Sequence, residues 1–189
     1  MLIAATSQIM VEEGYAAATS RRVAALAGVK PALVHYYFPT MDELYLAVFR
    51  IGATIYLDRQ QKALASDRPL HAFWETLIAP KDTRLLLEFM GLANHRKEIR
   101  AEITAWSERW REQQITALNF IVREHDLDTE DFPPAALAVV IAAIGRTLIL
   151  EQGLGTGGHD EAVALVHRFL DKFEMPQAKT RQARAAQSG

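Results

Sequence analysis

The chain has 189 residues, of which 50% are hydrophobic, with a formal net charge of −2 at pH 7 and no cysteine. This composition suits one or two compact helical units, and it excludes disulfides and thiolate chemistry. A slightly acidic chain is unlike a histone-type nonspecific DNA binder, although it permits a DNA contact confined to one small basic face.

Three short helices are predicted at the N-terminus. The first ends at Gly14 and carries an apolar face made of Leu2, Ala5, Ile9 and Met10. Thr19 or Ser20 caps the second helix, and Gly28 ends it in a left-handed conformation. Pro31 begins the third helix, because the first helical position needs no amide donor. Two short helices joined in this way form a helix-turn-helix, which fits the DNA major groove.

This segment is basic, since Arg21, Arg22 and Lys30 occur in it and no acidic residue lies between Gly14 and Met41. Apolar residues at core spacing, Val29 and Val34, are expected to face inward. The residues left available to DNA are Lys30, Pro31, Ala32, Leu33, His35, Tyr36 and Tyr37. The alternative is an ordinary helical hairpin that carries a surface aromatic cluster.

The first quarter of the chain resembles the TetR-type transcriptional regulators. The resemblance is carried by Ala4-Ala5, Glu13-Gly14-Tyr15, Thr19-Ser20, Val23-Ala24, Ala27-Gly28-Val29, Tyr37-Phe38-Pro39 and Leu44. These residues are specific as a set, whereas the rest of the chain matches the family only in length and helical layout. The resemblance implies base contacts from Arg21, Pro31, Ala32, Leu33 and Tyr36. It implies phosphate contacts from Ser20, His35 and Tyr37.

Three positions depart from the family pattern. His35 stands where the family usually has a tyrosine, and Met41 stands where it usually has a lysine that reaches a phosphate. Met1 begins at the first helix itself, so the basic arm of many relatives is missing, or the true start of the chain lies further upstream. Each lost phosphate contact lowers the slope of log affinity against log salt by about 0.9, so we expect modest nonspecific affinity.

The remaining chain is predicted to be helical throughout, which makes the fold all-α, with an N-terminal helix-turn-helix head on a larger body. The predicted domains are 1–47 for DNA binding and 48–174 for ligand binding and dimerisation, followed by a disordered basic tail at 175–189. A fourth helix is expected to begin at Thr40 and to end at residues 66–69, and the fifth, over residues 70–78, is expected to close at Pro80. The next helix has almost no polar face, so we expect burial of Leu85, Leu86, Leu87, Phe89, Met90 and Leu92. The long helix after it is expected to end near residue 125, and the last helix near residue 173.

Several aromatic residues in the body either fill a core or line a cavity for a mostly apolar ligand. As a group, the ligand candidates are Trp74, Phe89, Met90, Trp106, Trp110 and Arg146. Arg146 lies within an apolar run, and a buried charge needs a partner. An ion pair with Glu151 or with a second subunit is favoured over an anchor for a ligand carboxylate.

The last two long helices are expected to form a two-fold dimer interface, as they do in the family. Ala138, Ala142 and Gly145 permit close helix approach, and Val163, Val166, Phe169 and Leu170 add an apolar face. A two-fold dimer would place two recognition helices about 34–36 Å apart and require a palindromic operator.

Other chemistry is not indicated. The glycine-rich segment 153–158 has the spacing of a dinucleotide-binding fingerprint, but it follows a helix instead of a strand and is read as a loop. No histidine pattern of a zinc protease or di-iron bundle occurs, so we expect no metal, no cofactor and no enzyme activity. The apolar run near 135–150 is too short and alanine-rich to predict a membrane span, and a cytoplasmic location is expected.

The sequence therefore predicts a homodimeric repressor that binds a palindromic operator in double-stranded DNA and is released by a small-molecule ligand. A ligand-independent regulator or an activator with the same head is the alternative. A more distant alternative is a helical enzyme or binding module whose head no longer binds DNA.

Overall fold

A computed structural model describes residues 1–124, 128–131 and 133–172, apart from the side chains of residues 80–83, 124, 152 and 153. The helices, in chain order, are α1 (Leu2–Glu13), α2 (Ser20–Ala27), α3 (Pro31–Tyr37), α4 (Met41–Leu64), α5 (Pro69–Leu77), α6 (Pro80–His95), α7 (Lys97–Glu124), α8 (Pro134–Gly153) and α9 (residues 159–172). A short 3-10 turn, Tyr15–Ala17, follows α1. No strand occurs in the described ranges, and the predicted all-α fold with an N-terminal helix-turn-helix is confirmed.

The boundaries of the first helices follow local signals. Gly14 ends α1 at φ 86°, a left-handed conformation that favours glycine. The Thr19 hydroxyl caps α2 by accepting from the Arg22 amide at 3.3 Å. Gly28 ends α2 at φ 67° and ψ 31°, and the Val29 amide donates to the Ala24 carbonyl at 2.9 Å. These bonds confirm the predicted turn between the two short helices.

Two helices end close to where the sequence predicts, since α4 ends at Leu64 and α5 at Leu77. Pro69 and Pro80 themselves occupy the first turns of the helices that follow, α5 and α6. The proline ring fixes φ near the helical value. Amide hydrogens in the first turn have no acceptor within the helix, so the one that proline lacks is not missed there. Proline is therefore favoured at a helix start, as it also is at Pro31 in α3.

Packing divides the chain into two compact units. The first consists of Met1–Asp58 and Ala79–Glu112, and the second of Arg59–Ile78 and the described residues from Gln113 onward. The first unit thus combines the N-terminal head with α6 and the first part of α7. The predicted domain boundary after residue 47 stays a prediction, and the predicted tail at 175–189 lies outside the described residues, as do residues 125 and 173.

The core of the first unit joins the head to α6 and α7. Its fully buried side chains include Ile9, Met10, Val23, Val34, Leu44, Phe89, Leu92 and Ile99. At the head, the Glu88 carboxylate accepts from the Tyr15 amide at 2.7 Å, and a Cβ on Gly91 would lie 3.1 Å from the Tyr15 ring. The Tyr45 hydroxyl donates to the buried Ala18 carbonyl at 2.9 Å, and burial raises the pKa of Tyr45. α6 is therefore a packing partner of the head.

The prediction that α6 is buried all round was wrong. Phe89 and Leu92 are each 1% exposed, whereas Leu87 is 40% and Met90 50% exposed. Leu85 and Leu86 are half-buried. An unbroken apolar sequence hides which face of a helix meets the core, because only tertiary contacts decide it.

In the second unit, α5 packs closely against α8. A Cβ placed on Gly145 would lie 3.4 Å from both the Cβ and the carbonyl oxygen of Leu77. Ala142 and Ala138 are buried one and two turns earlier, respectively, on the same face of α8. At Gly145 the helix that approaches closely is α5 of the same chain. The predicted use of the small residues in a two-fold interface stays a prediction.

The segment Pro134–Glu151 of α8 is long and apolar enough to cross a membrane by length and composition, and 28% of it is buried within the chain. A core helix of a soluble protein passes the same test when another surface covers its remaining apolar side chains. Its exposed apolar residues are Val139, Val140, Ile144 and Leu150. The expectation that no membrane is bound stays a prediction.

Candidate nucleic-acid interface

The predicted DNA-facing residues share one exposed surface on α2, α3 and the turn between them. Val23 and Val34 are fully buried and hold the two helices on the core of the first unit. Ser20 is half-buried, and the exposed members of the surface are Arg21, Lys30, Pro31, Ala32, Leu33, His35, Tyr36 and Tyr37. Val29 is half-buried against the core, so both valines face inward as expected.

Tyr36 and Tyr37 dominate this surface. Their side chains are 77% and 61% exposed, and their rings meet edge to face with centroids 5.1 Å apart. Adjacent exposed tyrosines present two hydroxyl groups and a large apolar area to any partner that approaches α3. Such amphipathic rings suit an interface in which one end of the side chain stays polar.

The cations of the surface are not equivalent. Arg22 is bound to Glu13 through two bonds, Nε to Oε2 at 3.2 Å and Nη2 to Oε1 at 2.5 Å. The hydrogen bond from Arg22 lowers the pKa of the Glu13 carboxyl. Arg21 and Lys30, by contrast, are exposed and form no ion pair with any described residue. Arg21 and Lys30 are therefore the cations available to a DNA partner.

The ligand candidates lie in both units. Phe89, Met90, Trp106 and Trp110 belong to the first unit, and Trp74 and Arg146 belong to the second. In the first unit, the Phe49 ring contacts Phe89 and Trp106 edge to face, with centroids 5.2 Å and 6.5 Å apart. Trp110 packs on Tyr56 at 5.8 Å, and the exposed Met90 takes no part in these ring contacts. The fully buried Phe89 thus fills the core.

Trp74 is different, because it is 2% exposed and its indole Nε1 has no hydrogen-bond partner within the described ranges. A buried donor without a partner costs about 1–3 kcal/mol.

The predicted environment of Arg146 was wrong. Its side chain is exposed instead of buried, and Glu151, its proposed partner, bonds His159 at 2.9 Å. The Glu151 carbonyl also accepts from Thr156, so this acidic residue orders the segment between α8 and α9. That segment follows a helix, which supports the loop interpretation of the glycine-rich stretch. Among the described side chains, no group of three potential ligands is placed to hold a metal ion.

Comparisons with known proteins find regulators that resemble this chain. A family model described as "Bacterial regulatory proteins, tetR family" matches residues 2–48. The HTH-type transcriptional regulator BetI of Rhizobium meliloti (strain 1021) is 26% identical over 136 residues, which are 67% of this chain and 67% of the relative.

Solved structures of regulators share the fold. A putative transcriptional regulator from Saccharomonospora viridis, in complex with choline, has a TM-score of 0.75 and 19% identity over 91% of this chain and 92% of its own. A transcriptional regulator from Rhodococcus sp. Rha1 has a TM-score of 0.67 and 21% identity over 79% of this chain and 80% of its own.

Proposed function

The chain belongs to the TetR family of helix-turn-helix transcriptional regulators, and from that premise we propose that it is a cytoplasmic, ligand-responsive repressor. In this proposal it binds a palindromic operator as a homodimer and leaves the operator when a small molecule binds. The second candidate is a ligand-independent regulator or an activator with the same head. It differs from the repressor in that adding a small molecule would not release it from the operator.

The observation that carries the proposal is the exposed face of α3. Two adjacent exposed tyrosines lie on α3, whose buried Val34 anchors it to the core. Arg21 on α2 is exposed and forms no ion pair with the part of the chain that the structure describes. A recognition helix presents such side chains to base edges, while the preceding helix contacts phosphates. Arg21 would bind guanine with two hydrogen bonds, and Leu33 would pack on a thymine methyl group.

The exposed face of α8 supports the proposed homodimer. Val139, Val140 and Ile144 are exposed on the side of α8 that does not pack on α5, and Leu165 and Phe169 are exposed on α9. Contiguous exposed apolar side chains of this kind mark protein interfaces. In a two-fold dimer each of these residues occurs twice, so the two patches would complement each other.

We expect Val140→Asp to convert the dimer into a monomer, because it places two carboxylates in the centre of the apolar interface. Loss of the second head then weakens operator binding by roughly 10²- to 10⁴-fold. Sedimentation equilibrium and DNA titration measure the two effects. Leu154→Asp is the control, since Leu154 is 73% exposed in the loop after α8. A dimeric Val140→Asp variant would contradict the assignment of this face.

Trp74 supports a ligand site in the second unit. Its buried indole donor would hydrogen-bond to a ligand acceptor, and the buried indole ring suits a mostly apolar molecule. A second ligand class is a quaternary ammonium cation, since the Saccharomonospora viridis regulator is in complex with choline. Aromatic faces bind such cations, which makes choline the first compound to test.

We expect Trp74→Phe to weaken ligand binding about 2- to 12-fold, because a hydrogen bond contributes about 0.5–1.5 kcal/mol. The free energy of unfolding without ligand should fall only by the packing that the smaller ring loses, because the indole donor has no hydrogen-bond partner within the described ranges. Choline and a panel of uncharged apolar compounds are titrated into the protein–DNA complex while fluorescence anisotropy reports release. Equal release of wild type and Trp74→Phe would remove Trp74 from the site. A complex that no compound dissociates would favour the ligand-independent alternative.

A further inference from the structure

The turn between α6 and α7 carries basic residues beside the start of α4. Asp42, His95, Arg96, Lys97 and Glu98 line a groove of about 450 Å³ in the first unit. Arg96 joins the two sides of the groove, since its Nη1 donates to Asp42 Oδ1 and its guanidinium lies 5.8 Å from the centre of the Tyr45 ring.

Two arginines fix the conformation of this turn. Arg96 is held by Asp42 and Tyr45 of α4. Arg100 donates to the carbonyl oxygens of Ala93 and Asn94 at 2.9 Å and 3.2 Å, which places a cation on the C-terminal end of α6. Both guanidinium groups therefore stabilise the turn, and both are already bonded to other groups of the chain.

His95 and Lys97 remain available to a partner. Both are exposed, and Lys97 forms no ion pair with any residue in the described ranges. Glu98, the next residue on α7, lines the same groove and is also exposed. The carboxylate of Asp42 is already paired with Arg96. Lys97 is thus an exposed cation at the groove, beside the exposed carboxylate of Glu98, and neither side chain forms an ion pair within the described ranges.

The groove lies close to the proposed DNA surface. Asp42 follows the exposed Tyr37 by five residues, and five residues span at most about 17 Å. One strand of DNA carries a charge about every 3.4 Å along the helix axis. Because Arg96 bonds Asp42, the turn lies beside the N-terminal end of α4, which directly follows the proposed DNA surface in the chain. Met41 provides no charge at this end of α4.

We propose that the α6–α7 turn is a second DNA contact, at which Lys97, assisted by His95, binds a backbone phosphate flanking each operator half-site. Arg96 is a positioning residue, because it fixes the turn against α4 without meeting the phosphate. The contact carries no sequence information, and it adds affinity and salt dependence. This inference rests on the proposed operator binding of the dimer.

The test compares the full-length wild type with Lys97→Ala on an operator duplex between about 50 and 200 mM salt. We expect the slope of log affinity against log salt to become shallower by about 1.8 per dimer, with a loss of roughly 10- to 60-fold in affinity at about 0.1 M salt. Sequence preference should not change. A duplex trimmed of its flanking base pairs should lower wild-type affinity and leave Lys97→Ala unaffected.

Arg111→Ala is the matched control, since it removes an exposed cation about 21 Å further along α7. The inference is overturned if Lys97→Ala and Arg111→Ala have the same slope on a duplex that wild type binds specifically. Failure of wild type to bind any duplex would overturn the proposed function itself, and the two failures are thereby distinguishable. Circular dichroism confirms that both variants are folded.

Discussion

Replacing Arg21 and Tyr36 together with alanine is expected to abolish specific operator binding while the fold stays intact. Both side chains are exposed, and Tyr36 at 77% makes few contacts that the fold needs. A bidentate arginine–guanine contact is worth about 1–3 kcal/mol, and each contact occurs twice in a dimer. Specific affinity should therefore fall by about 10³-fold or more, to the nonspecific level. Anisotropy titration with operator and scrambled duplexes measures the loss.

The control for this variant is a double substitution of the same kind outside the head. Arg111→Ala with Phe120→Ala removes an exposed arginine and an aromatic side chain that is 66% exposed, both on α7. It should retain operator affinity within a few fold. Operator affinity retained by the Arg21/Tyr36 variant, at an unchanged melting temperature, would mean that α3 does not read DNA.

Phe89→Ala is expected to lower the free energy of unfolding by about 3–5 kcal/mol, as large buried aromatic residues do when truncated. Phe89 is 1% exposed and its ring packs on Phe49 in the core that joins α6 to the head. This loss is a large fraction of the stability of an ordinary domain. Urea unfolding followed by circular dichroism measures it.

Met90→Ala serves as the neighbouring comparison. Met90 is 50% exposed, and a surface substitution changes stability by about 0.5 kcal/mol or less. The two substitutions remove large apolar side chains at consecutive positions, so they differ mainly in the face of α6 that they alter. Equal losses of stability would show that α6 is buried all round, as its apolar sequence suggests.

The head could be derived from the sequence because its signals are local. Thr19, Gly28 and Pro31 each act within a few residues of their own position, and each occurs in the structure as predicted. The exposed aromatic pair and the buried Val34 followed from helical spacing alone.

The packing of the body could not be derived in this way. Gly145 of α8 meets α5, and nothing near Gly145 in the sequence indicates Leu77 as its neighbour. Glu88 caps the turn at Tyr15 across 73 residues, and Arg96 bonds Asp42 across 54. Such contacts depend on which helices meet, and a hydrophobic pattern does not specify that. Arg146, expected inside, is exposed for the same reason.

Selection of genomic DNA fragments by the purified full-length protein, followed by salt titration of the enriched fragment, tests the proposed function most directly. We expect a palindromic site whose half-sites are about one helical turn, or a multiple of it, apart, with affinity that falls steeply as salt increases. Enriched fragments without a palindrome would contradict the dimeric operator. Enrichment of no fragment would contradict DNA recognition by α3.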